Sequence, residues 1–132
     1  MNRFPVHILD EDSLLNTILK ENLNKMNGIQ TQSFHSVKDF VSNFNFNTYG
    51  LVFIDINFGK KNYLGPNSWD LLRILHCNPK LKIVFLADKY DHEIAETTVR
   101  MGALDYVVKS NFTIKLIEHI VKQFILTKTE KP

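Results

Sequence analysis

Five short runs of β-branched, aromatic and aliphatic residues punctuate the chain, at Phe4 to Leu9, Ile29 to Phe34, Tyr49 to Ile54, Leu81 to Leu86 and Leu104 to Val108, and a helical pattern follows each. Strand-then-helix alternation repeated five times leaves few folds, because a helix in every connection makes successive strands parallel and each helix must cover a face of the sheet. The runs at 51–54 and 83–86 are apolar without alternation, as central strands covered on both faces require. The expected architecture is α/β, a (βα)5 doubly wound five-stranded parallel sheet.

The helical segments have recognisable ends. Leu14, Leu15, Ile18, Leu19, Leu23 and Met26 fall at three- and four-residue spacings with Lys20, Glu21 and Asn24 opposite, and Asn27-Gly28 closes that helix. Ser36 caps a second, carrying Val37, Phe40, Val41 and Phe44 and closed by the Asn-rich stretch 43–47. The third holds Trp69, Leu71, Leu72, Ile74 and Leu75 and stops at Asn78-Pro79. Asp91 caps the fourth, which contains Ile94, Ala95, Thr98, Val99 and Met101 and ends at Gly102. The fifth holds Ile114, Leu116, Ile117, Ile120, Val121, Phe124 and Ile125.

At 132 residues, 44% of them hydrophobic and 23% charged, one domain with a sufficient core is expected, needing neither disulfide nor structural metal. The single cysteine, Cys77, excludes an intramolecular disulfide and a thiolate cluster built from this chain. No apolar stretch has the length of a membrane span or a signal-peptide core, so a cytoplasmic protein without membrane contact is expected. Sixteen basic residues are scattered and the net charge is only +2, which gives no footprint for nucleic acid.

In an open parallel sheet, ligands bind beyond the carboxyl ends of the strands, near the point where strand order reverses. After the first run stand Asp10, Glu11 and Asp12; after the third, Asp55; after the fourth, Ala87 and Asp88; after the fifth, Lys109. In the flavodoxin-like order 2-1-3-4-5, strands one and three are neighbours, and Asp10, Glu11 and Asp55 come together. Three carboxylates at one edge repel unless a cation joins them, and hard oxygen donors suit Mg²⁺ or Mn²⁺. Lys109 adds a point charge able to hold a phosphoryl oxygen. Taken singly, each acidic residue could equally cap the following helix, as Asp12 is expected to do. Lys109 could equally be a structural ion-pair partner.

Other chemistries lack their motifs. Neither G-x-x-x-x-G-K-[ST] nor G-x-G-x-x-G occurs, and the segment from Gly59 to Gly65 does not open a helix as a phosphate cradle would. His7, His35, His76, His92 and His119 lack the H-E-x-x-H spacing and are expected to be surface or partly packed residues.

Three segments in order, "VHILDEDSLL", "LVFIDIN" and "GALDYVVKS", resemble the receiver domains of bacterial two-component response regulators, the family that includes the chemotaxis protein CheY. The resemblance spans nearly the whole chain and implies one receiver domain over residues 1–132 with no output domain. It implies that the chain is not an enzyme but a phosphoprotein of phosphorelay signal transduction, accepting a phosphoryl group on Asp55 from a sensor histidine kinase or histidine phosphotransfer protein. Asp10, Glu11, Asp55 and the backbone carbonyl of Asn57 would hold Mg²⁺ or Mn²⁺, and Lys109 would pair with the phosphoryl group. Ala87 and Tyr106 would occupy the switch positions, with a downstream protein meeting the surface of helix four, strand five and helix five.

Four positions depart from the family pattern. Glu11 stands where Asp is usual, Ala87 replaces a Thr or Ser hydroxyl, Ser110 replaces a Pro, and the loop from Asn57 to Asn67 is long and carries Phe58-Gly59 in place of a Met-Pro turn. A pseudo-receiver that binds a partner constitutively, without phosphorylation, is therefore the alternative. A small phosphatase-type hydrolase using Asp55 is disfavoured because Asn57 lacks the second carboxylate needed as general acid.

Overall fold

A computed structural model of the chain describes residues 3–60, 66–111 and 113–129. The elements run β1 (Phe4–Leu9), α1 (Ser13–Asn24), β2 (Ile29–Phe34), α2 (Val37–Asn43), β3 (Gly50–Asp55), α3 (Ser68–His76), β4 (Leu81–Ala87), α4 (His92–Arg100), β5 (Asp105–Val108) and α5 (Thr113–Thr129). The five strands form one sheet in the order β2-β1-β3-β4-β5, every neighbouring pair parallel. This is the doubly wound flavodoxin-like topology, and each apolar run in the sequence is a strand to within a residue at either end.

Strand alternation divides the core in two. Val6, Ile8, Leu51, Phe53, Val84 and Leu86 face Leu19 and Leu23 of α1 and Ile117 and Val121 of α5. On the opposite face, Leu9, Val52, Ile54, Ile83 and Phe85 pack against Phe40 of α2 and Leu71, Leu72 and Leu75 of α3. Every residue of β3 is buried, because it lies at the sheet centre with helices on both sides. The aromatic side chains Phe34, Phe40, Phe44 and Phe46 form a mostly edge-to-face cluster under α2.

The caps follow the sequence. Asp12 accepts from the amides of Leu14 and Leu15, Ser36 from Asp39 and Asp91 from Ile94. Asn67 and Asp70 add a reciprocal capping box at α3. Three details differ from expectation. Met26 lies beyond the last turn of α1, and Gly28, at φ +82°, turns the chain into β2. Leu14, Val41, Ile74 and Val99 are half exposed or more, since the apolar arcs of the helices are wider than the strip the sheet covers, and Leu104, just before β5, is also half exposed. His7, expected to be a surface or partly packed residue, is fully packed: it faces the α2 side, its Nε2 lies 3.3 Å from the Tyr49 carbonyl and its ring meets Phe44 edge-on. No cis peptide bond occurs among the described residues, so Lys109–Ser110 is trans. Residues 61–65 of the long loop expected between Asn57 and Asn67 lie outside the described residues.

Candidate active site

The carboxyl ends of β1, β3 and β5 meet at one edge of the sheet and carry Asp10, Asp55 and Lys109. Asp10 follows β1, where its amide still donates to the Phe34 carbonyl of β2 at 3.2 Å. Asp55 is the last residue of β3, and Lys109 is set by its own amide, which donates to the Ala87 carbonyl at 2.7 Å and continues the β4–β5 ladder. Parallel pairing therefore fixes the backbone of all three before any side-chain contact is made.

Lys109 Nζ lies 2.9 Å from Asp10 Oδ2 and 2.5 Å from Asp55 Oδ2. Asp10 is 3% and Asp55 6% exposed, so the ammonium is the charge that makes burial of two carboxylates tolerable. The remaining oxygens are occupied locally: Asp10 Oδ1 accepts from the Asp12 amide at 2.9 Å, and Asp55 Oδ1 from the Asn57 amide at 2.7 Å. Burial pushes the Asp10 carboxyl above its ordinary range despite hydrogen bonds from Lys109 and the Asp12 amide, and the charge on Asp55 adds to the rise. At Lys109 burial acts to lower the pKa, but hydrogen bonds to Asp55 and Asp10 outweigh it and the net direction is upward. One ammonium serves two carboxylates, and the cluster retains net negative charge.

Glu11 is placed differently from the expected three-carboxylate group. Its Oε1 accepts from the Gly59 amide at 2.9 Å, in the loop after β3. Among the described residues no three acidic, His or Cys side chains converge as a metal-binding group. The physical reason is twofold: Lys109 sits between Asp10 and Asp55, and the extra methylene of Glu carries its carboxylate across to the loop. The donor chemistry still fits a hard divalent cation, since buried oxygen donors with unbalanced negative charge are what Mg²⁺ or Mn²⁺ requires. Asp10, Asp55, the Asn57 carbonyl and, after a side-chain rotation, Glu11 are the groups that would hold it.

Asn16 is a contributor that the sequence reading missed. It is fully buried on α1, and its Nδ2 donates to the Asp10 carbonyl and lies 3.1 Å from His35 Nδ1. An amide within the apolar stripe between Leu15 and Leu19 was the available signal, because a buried Asn must find a polar partner. Around Asp55, Ser68 Oγ at the start of α3 donates to the Ile56 carbonyl at 2.6 Å and closes the loop onto the strand.

At the switch positions, Ala87 ends β4 and is 2% exposed, while Tyr106 on β5 is half-buried against the α2/α3-side core. The Tyr106 hydroxyl donates to the Lys89 carbonyl at 3.0 Å, and its ring meets Tyr90 edge-on with centroids 6.1 Å apart. Tyr106 is thus fixed two residues beyond Ala87 without any polar contact to residue 87 itself.

The fold and this acid-and-lysine edge define a class, the flavodoxin-like α/β modules with a polar site at the carboxyl ends of β1, β3 and β5. The sequence pattern of the response regulator receiver domain matches residues 6–121, and the chain belongs to that family, a module of phosphorelay signalling. Among solved structures, it is similar to the receiver domain of the Francisella response regulator 1452, at 26% identity and a TM-score of 0.72 over 98% of this chain and 100% of that one. The BeF3-activated receiver domain of DrrB from Thermotoga maritima aligns at 20% identity and a TM-score of 0.78, over 93% and 97% of the two chains. A Burkholderia pseudomallei response regulator with a phosphorylated aspartic acid and a calcium ion aligns at 16% identity and a TM-score of 0.72, over 98% of this chain and 75% of that one. No curated protein sequence matches the chain. Among the described residues no helix is long and apolar enough to cross a membrane.

Proposed function

We propose that the chain accepts a phosphoryl group on Asp55 from a phosphohistidine of a sensor kinase or phosphotransfer protein. The observation that carries this reading is the 2.5 Å contact between Lys109 Nζ and Asp55 Oδ2 at a buried edge that also holds Asp10. An Asp55 oxygen attacks phosphorus, the P–N bond to the donor imidazole breaks, and the leaving nitrogen keeps the electron pair. The Lys109 ammonium beside Asp55 supports this reading, because a transferred phosphoryl oxygen needs a positive partner. The Asn57 amide holds the second Asp55 oxygen, so the nucleophile's orientation is set before the donor arrives. Positioning and charge neutralisation carry most of the catalysis in phosphoryl transfer. Mg²⁺ or Mn²⁺, held by Asp10, Glu11, Asp55 and the Asn57 carbonyl, would supply the remaining neutralisation.

Signalling then proceeds by protein contact at the surface of α4, β5 and α5, where Tyr90 is 63% exposed beside Tyr106. A second reading, a pseudo-receiver that holds its partner without phosphorylation, is favoured by one observation. Tyr106 is already tied to the Lys89 carbonyl, and the Ala87 methyl offers a phosphoryl oxygen no hydrogen bond.

Incubation with acetyl phosphate and Mg²⁺, followed by intact mass measurement, tests the first reading. The expected result is addition of one phosphoryl group to the wild type and none to Asp55→Asn. Equal labelling of both proteins removes Asp55 from the role, and no labelling of either supports the pseudo-receiver.

A further inference from the structure

The Glu11 hydrogen bond ties one end of the acidic edge to the loop that follows the acceptor residue. That loop is otherwise well anchored. Phe58 is fully buried against Phe40, its amide donates to the Asp55 carbonyl at 2.9 Å, and the Asn57 amide is on the Asp55 carboxylate. Gly59 follows at φ +82°, where an added Cβ would lie 2.5 Å from the Pro66 carbonyl oxygen and 2.8 Å from Val37 Cγ2. Only glycine fits there, so the loop presents the Gly59 N–H to Glu11 in a fixed direction. An aspartate at position 11 would end one methylene short of that donor.

We propose that Glu11 is a positioning residue with two alternative partners, the Gly59 amide and the divalent cation, so that cation binding frees the Gly59 amide. The inference rests on the metal reading of the site given above. With Glu11 on Gly59, no three acidic side chains among the described residues are grouped to hold an ion, so Glu11 must swing toward Asp10 and Asp55, away from the amide, to share one. The two partners are therefore coupled, and the coupling is reciprocal: whatever the tether contributes to the loop is subtracted from cation affinity. Solvent screening at an exposed carboxylate brings this bond down to the range of a neutral one, a coupling of roughly 3- to 10-fold.

The test is a titration of the full ¹⁵N-labelled chain with Mg²⁺ alone, following the backbone amides of Asp10, Asp55 and Gly59 and the solvent exchange of the Gly59 amide. In the wild type, Gly59 exchange should rise with the same midpoint as the shifts at Asp10 and Asp55. In Glu11→Asp, Gly59 should exchange faster from the start, by roughly 3- to 10-fold, and Mg²⁺ should bind tighter by a similar factor. Glu11→Gln keeps an acceptor for Gly59 without the charge, and should retain most of the protection while binding Mg²⁺ more weakly than wild type. Mg²⁺ binding at Asp10 and Asp55 with Gly59 indifferent, or Glu11→Asp binding no tighter than wild type, overturns the inference alone. Absence of any Mg²⁺ response in all three proteins overturns the metal reading and the inference together.

Discussion

Replacing Lys109 with Met keeps most of the side-chain volume and removes the one positive charge between Asp10 and Asp55. Two carboxylates, both over nine-tenths buried, then face each other without a counter-ion. Removing one partner from a buried ion pair costs about 3–5 kcal/mol. The Lys109 side chain is 18% exposed, so water reaches part of the cluster and the lower end, about 3 kcal/mol, applies. For a chain of 132 residues, with an unfolding entropy of about 2.1 cal/mol/K per residue, that loss lowers the melting temperature by on the order of 10 °C at pH 7. The pH dependence is diagnostic. The Asp10 carboxyl is already pushed up by burial, and loss of Lys109 raises it further, so the folded variant takes up a proton at higher pH than the unfolded chain. Lowering the pH from 7 therefore favours the folded variant, and the deficit relative to wild type shrinks. In the wild type the raised Lys109 pKa puts loss of its contribution above the ordinary lysine value, outside this window. Thermal melts of both proteins across the acid range measure the deficit. A deficit of under about 1 kcal/mol at pH 7, or one that does not change with pH, would refute the argument that Lys109 neutralises a buried pair.

Ala87→Thr restores a hydroxyl beside the acceptor: on adding beryllium fluoride and Mg²⁺, NMR shift changes should reach Tyr106 in the variant and stay near Asp55 in the wild type, and equal changes at Tyr106 in both would show another switch. Gly59→Ala should cost more than Gly28→Ala, because both share φ +82° but only Gly59 has no room for a Cβ. The left-handed backbone costs about 1–2 kcal/mol at either site, and overpacking adds about 1–3 kcal/mol at Gly59; equal losses in urea unfolding would contradict this. Burial lowers the His7 pKa, so the unfolded chain protonates first and the wild type loses stability as pH falls below the ordinary value of 6.5. His7→Phe, which suits the aromatic surroundings, should lose less over that range, and an unchanged acid profile would remove His7 as the cause.

Strand runs and caps were legible because they depend on local pattern. Asp12, Ser36 and Asp91 cap where side-chain chemistry and the following apolar period indicate, and strand order placed Asp10, Asp55 and Lys109 at one edge. Legibility ended where side chains choose between partners. Nothing in the spacing of Glu11 distinguishes a cation from an amide 48 positions away, since that choice depends on where Phe58 buries and on the turn Gly59 permits. His7 was misread because alternation puts one face of β1 against α2, and a histidine there has the same spacing as an apolar residue. Asn16 is marked as an amide inside an apolar stripe, but its partner, the Asp10 main-chain carbonyl, is not marked by sequence. The hydrogen bond from Tyr106 to Lys89 is hidden for the same reason.

The central claim, that Asp55 is the acceptor, is tested most directly by locating the label. The chain is treated with acetyl phosphate and Mg²⁺, reduced with borohydride to convert an acyl phosphate to an alcohol, digested, and sequenced by tandem mass spectrometry. The account predicts the reduced residue at position 55 and nowhere else. A reduced residue at Asp10, Glu11, Asp88 or any other carboxylate, with Asp55 intact, would contradict it.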